Sequence, residues 1–501
     1  MLAVQRTVAA GARRSGGTRS LFSSASQGKQ RLVILGSGWG GYEILRAIDK
    51  KRWNVIVVSP SNYFNFTPLL ASCSVGTLEF RAAVEPVRRY TPDVMPATAP
   101  VKLPESGHPT ERSDVNESAS SVKGSTEKFQ LTYDKLVIAV GAYSQSTATY
   151  YLVRSAADAR DCAAFNVPGV KEHAHFLKDI RDARAIRTRI LDCFEQANQP
   201  TITDADRRKL LNFCIVGGGP TGVEFAAELH DFLHTDLARH YPVLARMAKI
   251  NLYDVAPVIL GGFDTGLQEY VSFSVVYHNK ASLALLTTPV SNRYATSKFK
   301  REGIRLLTQH HVERVEAGRM FVTEEGEVDF GLLVWSTGLA PNPLIQSITE
   351  AKKDERTKRS LVTNGNLNVI MKDTGAPDSD VFAIGDAALI QDQPLPATAQ
   401  VANQQAKYLT RQLNRLVRSG RVDDAPFKFQ NMGSLAYVGD WEAIFDRTKV
   451  ERGPKGKETG RLAWLLWRSA YFTKTLSVRN KILVPMYWFL NWIFGRDLSR
   501  F

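Results

Sequence analysis

Two glycine turns constrain the fold of this chain more than any other feature of its sequence. Each turn places three glycines at G-x-G-x-x-G spacing between an apolar run and a helical pattern. The two sets are Gly36, Gly38 and Gly41, and Gly217, Gly219 and Gly222. At this spacing the first glycine permits a tight turn, the second lets the backbone approach a pyrophosphate, and the third packs the helix against the strand. Two such units about 180 residues apart predict an α/β chain with two Rossmann-type dinucleotide-binding domains, hence a flavin and a nicotinamide nucleotide. The alternative is that one or both turns are only structural.

The composition is that of an ordinary soluble globular protein, and the positive charge is concentrated near the two termini. The chain has 501 residues, of which 44% are hydrophobic and 23% charged, so we expect two or three domains with full cores. The formal net charge of +14 is concentrated before the first strand and after residue 461. Positive charge at the ends predicts targeting and an anionic surface, and it argues against a nucleic-acid partner.

The first 29 residues are typical of a mitochondrial transit peptide. They contain four arginines, several Ser, Ala and Gly, and no acidic residue. They also lack the apolar centre of a secretory signal. A plain disordered tail is the alternative interpretation.

The spacing of the cysteines limits the ways in which electrons can leave the flavin. The four cysteines are Cys73, Cys162, Cys193 and Cys214, and no two of them form a CxxC or CxxxxC pair. This spacing excludes the redox-active disulfide of many two-nucleotide flavoproteins and also iron–sulfur ligation. Electrons are therefore expected to leave the flavin directly to a small acceptor, and no metal site is predicted.

Several motifs add a specific family resemblance. The second strand of the first Rossmann unit ends at Ser59, where an acid normally holds the adenine ribose. The stretches that carry the resemblance begin with SPSNYFNFTPLL at 59–70, YDKLVIAVGA at 133–142 and LLVWSTGLAPNP at 332–343, and continue with VFAIGDAA at 381–388 and PATAQVANQQAKYL at 396–409. With these motifs the chain resembles the mitochondrial type II (alternative, rotenone-insensitive) NADH:ubiquinone oxidoreductases of the fungal kind, which have Ser-Pro in place of the acid. The resemblance runs from residue 31 to the end of the chain.

The resemblance and the motifs together imply a set of site residues. Non-covalent FAD is expected at Gly36, Ser37, Gly38, Gly41, Ser59, Gly141, Asp386 and Ala387. NADH is expected at Gly217, Gly219, Gly222, Asp254, Thr337 and Gly338. The resemblance places Glu224 near the flavin, and it favours Gln400 and Gln404, at i and i+4 on one helix face, as hydrogen-bond donors to the quinone carbonyls.

Each of these polar residues also has a structural interpretation. Asp386 follows a strand and would meet the flavin ribityl or pyrophosphate edge, or it caps the next helix. Asp254 ends the second strand of the second unit, where an acid binds the NADH ribose and repels the 2′-phosphate of NADPH; otherwise it is a solvated loop residue. For Glu224 the alternative is a cap on the first turn of its helix, and for Gln400 and Gln404 it is exposure to solvent.

The C-terminal tail mixes tryptophan and tyrosine with arginine and lysine at helical spacing, from residue 461 onward. Neither of its apolar runs is long enough to span a bilayer. We predict helices that lie in the membrane interface; a dimer interface is the alternative, and both can hold. A homodimer is expected.

Three stretches depart from the family pattern. Residues 93–129 lack the expected strand near the adenine end of the flavin, residues 146–163 match nothing, and residues 271–294 interrupt a predicted helix. Long structureless insertions are rare in compact domains. We interpret these stretches as errors of a gene model, with a lineage-specific elaboration as the alternative.

The resulting prediction is a peripheral flavoenzyme of the mitochondrial inner membrane, on its matrix or its intermembrane-space face. FAD would accept hydride from NADH and pass two electrons to ubiquinone without proton pumping. The predicted domains are a transit peptide at 1–29, FAD-binding parts at 30–210 and 346–430, an NADH-binding domain at 211–345 and a membrane-anchoring region at 431–501. An NAD(P)H flavoprotein of the apoptosis-inducing-factor type, with another acceptor, is the alternative.

Overall fold

The computed structural model describes residues 29–91, 130–142, 167–265, 267–268, 304–356, 358–474 and 477–499, with the backbone of short strands at 2–6, 94–95 and 101–102. The unmatched stretch 146–163, the interrupting segment 271–294 and Cys162 lie outside the described residues. Most of 93–130 and of the predicted transit peptide does so as well. Leu2–Arg6 is a strand that pairs in parallel with Val101–Lys102 and Gln130–Tyr133.

The first large sheet has eight strands with a parallel centre. In spatial order they are Ala388–Ile390, Leu361–Thr363, Asn368–Ile370, Pro377–Ala383, Lys135–Ile138, Gln30–Leu35, Trp53–Val58 and Val94–Met95. The central strand Gln30–Leu35 ends in four buried apolar residues, as expected for a parallel strand that is covered on both faces. Helices Trp39–Ala47 and Ala399–Ser419 pack against each other, and the antiparallel pair Tyr63–Asn65 and Val84–Pro86 lies nearby.

The second large sheet has five parallel strands. Their order is His175–Phe176, Leu332–Trp335, Asn212–Val216, Lys249–Asp254 and Ile304–Thr308. An antiparallel sheet follows Ile304–Thr308, with strands Val312–Glu316, Arg319–Val322 and Gly326–Asp329. A mixed sheet with a parallel centre and a second, parallel sheet, each with a glycine turn after a central strand, confirm the predicted fold class. The boundary predicted at 210/211 stays a prediction, although His175–Phe176 already pairs with the second sheet.

The remaining helices connect and cover these sheets. They are Leu70–Ser74, Val170–His173, Ile180–Ala197, Asp204–Leu210, Pro220–Phe232, Ala238–His240, Pro242–Met247 and Pro343–Ser347, with a π-helical turn at Leu233–Leu237. In the part of the chain that the structure describes, 3-10 turns lie at Thr67–Leu69, Phe80–Ala83, Val87–Arg89 and Gly385–Ala387. Ile180–Ala197 begins with a capping box in which Asp179 and Asp182 satisfy backbone N–H groups.

The C-terminal region combines a three-stranded antiparallel sheet with two helices. The strands are Ser434–Gly439, Glu442–Asp446 and Lys457–Thr459, and the helices are Gly460–Lys474 and Val478–Phe494. The Arg468 guanidinium lies 4.1 Å from the Trp464 ring and 4.2 Å from the Trp488 ring, so a cation–π contact joins the two helices. Within the described residues, no helix combines the length and the apolar character needed to cross a membrane.

Candidate active site

The first glycine turn opens onto a large cavity. Gly36 has a φ of +101°, and a side chain there would come within 2.5 Å of the Ala139 carbonyl oxygen. Gly38 caps helix Trp39–Ala47 and has open space where a Cβ would stand. A Cβ at Gly41 would collide with the Gly36 carbonyl, so the helix packs tightly against the turn. Bare backbone at the start of a helix suits a pyrophosphate.

Two serines stand where an acid would end the second strand. The Ser37 and Ser59 hydroxyls lie 2.8 Å apart, and both are buried. Ser37 also donates to the Tyr63 carbonyl at 3.0 Å. Both serines line the cavity, so neutral hydroxyls replace a carboxylate at this edge.

The next two strands of the sheet contribute to the same edge. Gly141, with a φ of +66°, follows Lys135–Ile138, and Asp386 lies in the turn after Pro377–Ala383; both line the cavity. The Ala387 side chain is instead buried in the core of the first sheet, so only its backbone is available to a ligand. Gln405, which sequence reasoning missed, accepts from the Gly385 N–H at 2.7 Å and fixes this turn.

The second glycine turn has the same construction. Gly217 has a φ of +117°, and a Cβ there would stand 2.7 Å from the Ser336 hydroxyl. Gly222 packs against the Gly217 carbonyl, and Gly219 caps helix Pro220–Phe232 with open space beside it. The helix therefore begins directly at the turn, as a nucleotide-binding unit requires.

Asp254 ends the second strand of this unit. Its carboxylate accepts from the Gly218 N–H, and also from the Ala256 N–H at 2.7 Å. These contacts hold the acid against the glycine turn rather than in open solvent. On the other side of the turn, Thr337 and Gly338 follow strand Leu332–Trp335 and line the cavity.

One cavity of about 750 Å³ joins the two halves. Its walls include residues of both Rossmann units and of the C-terminal region. Among them are Gly36, Ser59, Lys178, Glu224, Thr337 and Tyr471. A dinucleotide that begins at the first turn can therefore run toward the second unit without leaving the cavity.

Glu224 is the buried acid of this cavity. Its carboxylate accepts from the Tyr437 N–H at 3.1 Å and from the Trp467 ring N–H at 3.3 Å. Burial raises the pKa of Glu224 to about 8, against the opposing effect of these two hydrogen bonds. Burial therefore keeps this carboxyl group protonated near neutral pH, and its two partners, which belong to the C-terminal sheet and helix, tie that region to the site.

Gln400 and Gln404 lie on one face of helix Ala399–Ser419, but their amides are already bonded. Gln400 accepts from the Met432 N–H at 3.0 Å and donates to the Gly433 carbonyl at 3.3 Å. Gln404 bonds both backbone groups of Gln430, at 3.0 and 2.8 Å. Neither side chain lines the cavity, whereas the neighbouring Thr398 and Ala399 do.

The described cysteines are not redox groups. Cys73, Cys193 and Cys214 are free and buried. Burial raises the pKa of Cys193 to about 11 and of Cys214 to about 12, and it raises the pKa of Cys73 further. Protonated, enclosed thiols do not attack disulfides.

The C-terminal helices carry an exposed apolar face. Val478, Ile482, Met486, Phe489 and Ile493 recur at helical spacing, with Ile482 62% and Phe489 58% exposed. The neighbouring helix exposes Leu462, Leu465 and Leu466. Exposed cations, Arg461, Arg479 and Lys481, flank this face.

Comparison with known proteins shows the family. Residues 30–406 match the pyridine nucleotide-disulphide oxidoreductase family, and residues 431–497 match the NDH2 C-terminal domain. The chain belongs to the type II NADH:ubiquinone oxidoreductases. A probable NADH dehydrogenase of Dictyostelium discoideum is 34% identical, over 94% of this chain and 91% of the relative. An internal alternative NAD(P)H-ubiquinone oxidoreductase of Solanum tuberosum mitochondria is 33% identical, over 96% of this chain and 90% of the relative.

Further relatives agree with this assignment. The mitochondrial external NADH-ubiquinone oxidoreductase 2 of Saccharomyces cerevisiae is 33% identical, over 94% of this chain and 82% of the relative. The structure of NDH2 from Plasmodium falciparum in complex with NADH superimposes with a TM-score of 0.73 at 24% identity, over 94% of this chain and 100% of that one. This match shows the fold. The fold and the family are those of FAD-dependent oxidoreductases, and the cradle at Gly36–Gly38 fits that cofactor.

Proposed function

We propose that this chain oxidises NADH through bound FAD and reduces ubiquinone at the mitochondrial inner membrane, without pumping protons. The single observation that carries the proposal is one cavity lined by the first glycine turn, by Pro220 and Thr221 at the start of the helix that follows the second turn, and by Tyr471 of the C-terminal region. A nicotinamide nucleotide held by the second unit and a flavin held by the first would meet inside it. FAD, when bound, supplies the capacity to accept two electrons from NADH and release them to a quinone.

The chain's own residues supply binding and orientation. Helix Trp39–Ala47 and the bare backbone of Gly36 and Gly38 would hold the FAD pyrophosphate, with Ser37 and Ser59 beside it. The second turn and Asp254 would hold NADH, and Thr337 and Gly338 would border its nicotinamide half. Asp254, held against the glycine turn by two backbone N–H groups, would favour NADH over NADPH by repelling a 2′-phosphate.

Glu224 holds a proton in the part of the cavity beside the C-terminal region, where the proposal places the quinone. We call this part the acceptor end of the cavity. With a pKa of about 8, its carboxyl group can donate a hydrogen bond at neutral pH, which an ordinary glutamate cannot. Tyr471 lines the same part of the cavity and lies on the C-terminal helix Gly460–Lys474. Quinone reduction consumes protons, so a protonated carboxyl group here suits a quinone oxygen.

Gln400 and Gln404 take a different part in the proposal from the one that the sequence predicts. Their hydrogen bonds to backbone at 430–433 tie helix Ala399–Ser419 to the start of the C-terminal sheet. We therefore propose that they position the acceptor end of the cavity. Direct contact with the quinone would require these bonds to break.

The exposed apolar face of Val478–Phe494 supports attachment to a lipid surface. Apolar burial and attraction of Arg479 and Lys481 to anionic lipid act together in such helices. The quinone would then reach the cavity from the bilayer, past Tyr471. A homodimer through the same helices remains a prediction, and the sedimentation coefficient of the detergent-free protein would test it.

Vesicle binding tests the membrane part of this function. Ile482→Lys and Phe489→Lys should each reduce cosedimentation with lipid vesicles and the reduction of membrane-dissolved ubiquinone, while NADH:ferricyanide activity stays at the wild-type level. Val243→Lys is the control, because Val243 is 68% exposed on a different part of the surface. Equal vesicle binding by all four proteins would contradict the proposed attachment.

A further inference from the structure

Lys178 is a partly buried cation that lines the cavity and is not among the site residues expected from the sequence. It lies between strand His175–Phe176 and helix Ile180–Ala197 and lines the cavity. Its Nζ donates to the Ala142 carbonyl at 2.6 Å. Its backbone is held on both sides, because its N–H donates to Asp182 at 3.0 Å and its carbonyl accepts from the Asn65 amide at 3.0 Å. The side chain is therefore fixed in position rather than free to swing into solvent.

The ammonium group has donors to spare. It carries three N–H bonds, and within the described residues only the Ala142 carbonyl accepts one of them. Burial lowers the pKa of Lys178, while the nearby Asp386 carboxylate opposes this shift. A partly buried ammonium group with spare donors is stabilised when a ligand accepts them.

Lys178 is also distinct from the other basic residue of the cavity wall. Arg181 bonds the Asp179 carboxylate at 3.0 Å, and its side chain is 51% exposed. Among the described residues that line the cavity, Lys178 is thus the basic side chain that has no carboxylate partner at hydrogen-bond distance and is the less exposed of the two.

The sheet order identifies which part of that ligand Lys178 faces. Strands Pro377–Ala383, Lys135–Ile138 and Gln30–Leu35 are neighbours. At their carboxyl ends they place Asp386, Ala142 and the Gly36–Gly38 turn side by side. The turn is the expected pyrophosphate site, where the helix N-terminus supplies roughly half a positive charge against two negative charges on the diphosphate. A full positive charge at the same edge would raise the total positive charge to roughly 1.5 against those two.

We propose that Lys178 binds the pyrophosphate of FAD, as a charge-assisted donor that acts together with the first glycine turn. It is a cofactor-binding residue on a segment outside both glycine motifs. The inference rests on the family's cofactor and is independent of the identity of the electron acceptor.

Substitution of Lys178 in the holoenzyme tests the proposal. Lys178→Met keeps the length and the apolar stem but removes the charge. Its FAD dissociation constant, measured from the fluorescence of FAD released on serial dilution, should rise by about ten- to hundredfold, the range expected for one charge-assisted hydrogen bond. Lys178→Arg should retain most of the affinity. Lys171→Met is the matched control, because Lys171 lies on helix Val170–His173 and does not line the cavity.

Three results would overturn the assignment. In the first, Lys178→Met binds FAD as tightly as wild type. In the second, its FAD affinity is unchanged while the flavin reduction potential shifts, which would place the charge at the flavin ring. In the third, Lys178→Arg loses FAD as readily as Lys178→Met although its far-UV circular dichroism matches wild type, which would make the effect one of packing. NADH oxidation by FAD-saturated variants tells these failures apart from failure of the proposed function.

Discussion

The buried carboxyl group of Glu224 makes the stability of this protein depend on pH in a calculable way. Its pKa rises from the ordinary 4.5 to about 8 because burial disfavours the charged form. Between these two values the folded protein keeps a proton that the unfolded chain has lost. The stability contribution of this group is therefore complete below pH 4.5 and falls as pH rises toward 8.

Glu224→Gln removes this dependence, because an amide cannot ionise and its oxygen still accepts from Tyr437 and Trp467. The free energy of unfolding of the variant should therefore rise, relative to wild type, by up to about 1.4 kcal/mol per pH unit. Between the two pKa values the total difference is about 4 to 5 kcal/mol. For a chain of 501 residues that unfolds as one unit, the melting temperature of the variant should gain roughly 1 to 2 °C on wild type for each pH unit.

Thermal unfolding of both proteins at several pH values from 5 to 9 provides the measurement. Glu451→Gln is the control, because Glu451 is exposed and its carboxylate stays in solvent in either state. A difference in melting temperature between wild type and Glu224→Gln that stays constant from pH 5 to pH 9 would refute the reasoning. A variant that becomes less stable relative to wild type as pH rises would refute the reasoning more strongly.

Three further outcomes are expected. Asp254→Asn should relax the preference for NADH over NADPH, and an unchanged ratio of the two kcat/KM values would show that Asp254 does not border the ribose. Arg496→Gln should lower the melting temperature markedly, because the buried Glu228 loses a guanidinium 3.6 Å away and breaking such a buried pair costs about 3–5 kcal/mol. Arg479→Gln, at an exposed position, should change the melting temperature little. Equal changes in the two variants would contradict the importance of the Arg496–Glu228 pair. Deletion of 271–294 should raise expression and melting temperature and leave NADH binding intact, since ordering a loop costs roughly 1 kcal/mol or more per residue; loss of NADH oxidation would show that the segment is a structural part.

The sequence was sufficient to predict the two Rossmann units, for a local reason. A glycine turn requires a strand before it and a helix after it, so Gly36 and Gly217 specify their surroundings within about 30 residues. The structure confirms both units, with central strands Gln30–Leu35 and Asn212–Val216. Local pattern could not predict that His175–Phe176 joins the second sheet, because a two-residue strand has no measurable period.

The site was harder to predict, because its polar contacts join distant segments. Glu224 lies 213 residues before the backbone N–H of Tyr437 that it accepts from, and no spacing rule connects them. Lys178 lies in a stretch, 167–180, that matches the family, but nothing in the sequence distinguishes it from the other lysine there. Gln400 and Gln404 do share a helix face as predicted, but their loop partners at 430–433 became visible only in the structure.

The most direct test of the central claim is a stopped-flow experiment on the two half-reactions of the purified holoenzyme. Anaerobic mixing with NADH should bleach the flavin absorbance, and a second mixing with a short-chain ubiquinone should restore it at a rate no slower than steady-state turnover. The claim that both substrates act at this one cavity would be contradicted by either of two results. In one, NADH does not bleach the flavin absorbance; in the other, ubiquinone does not restore it after bleaching.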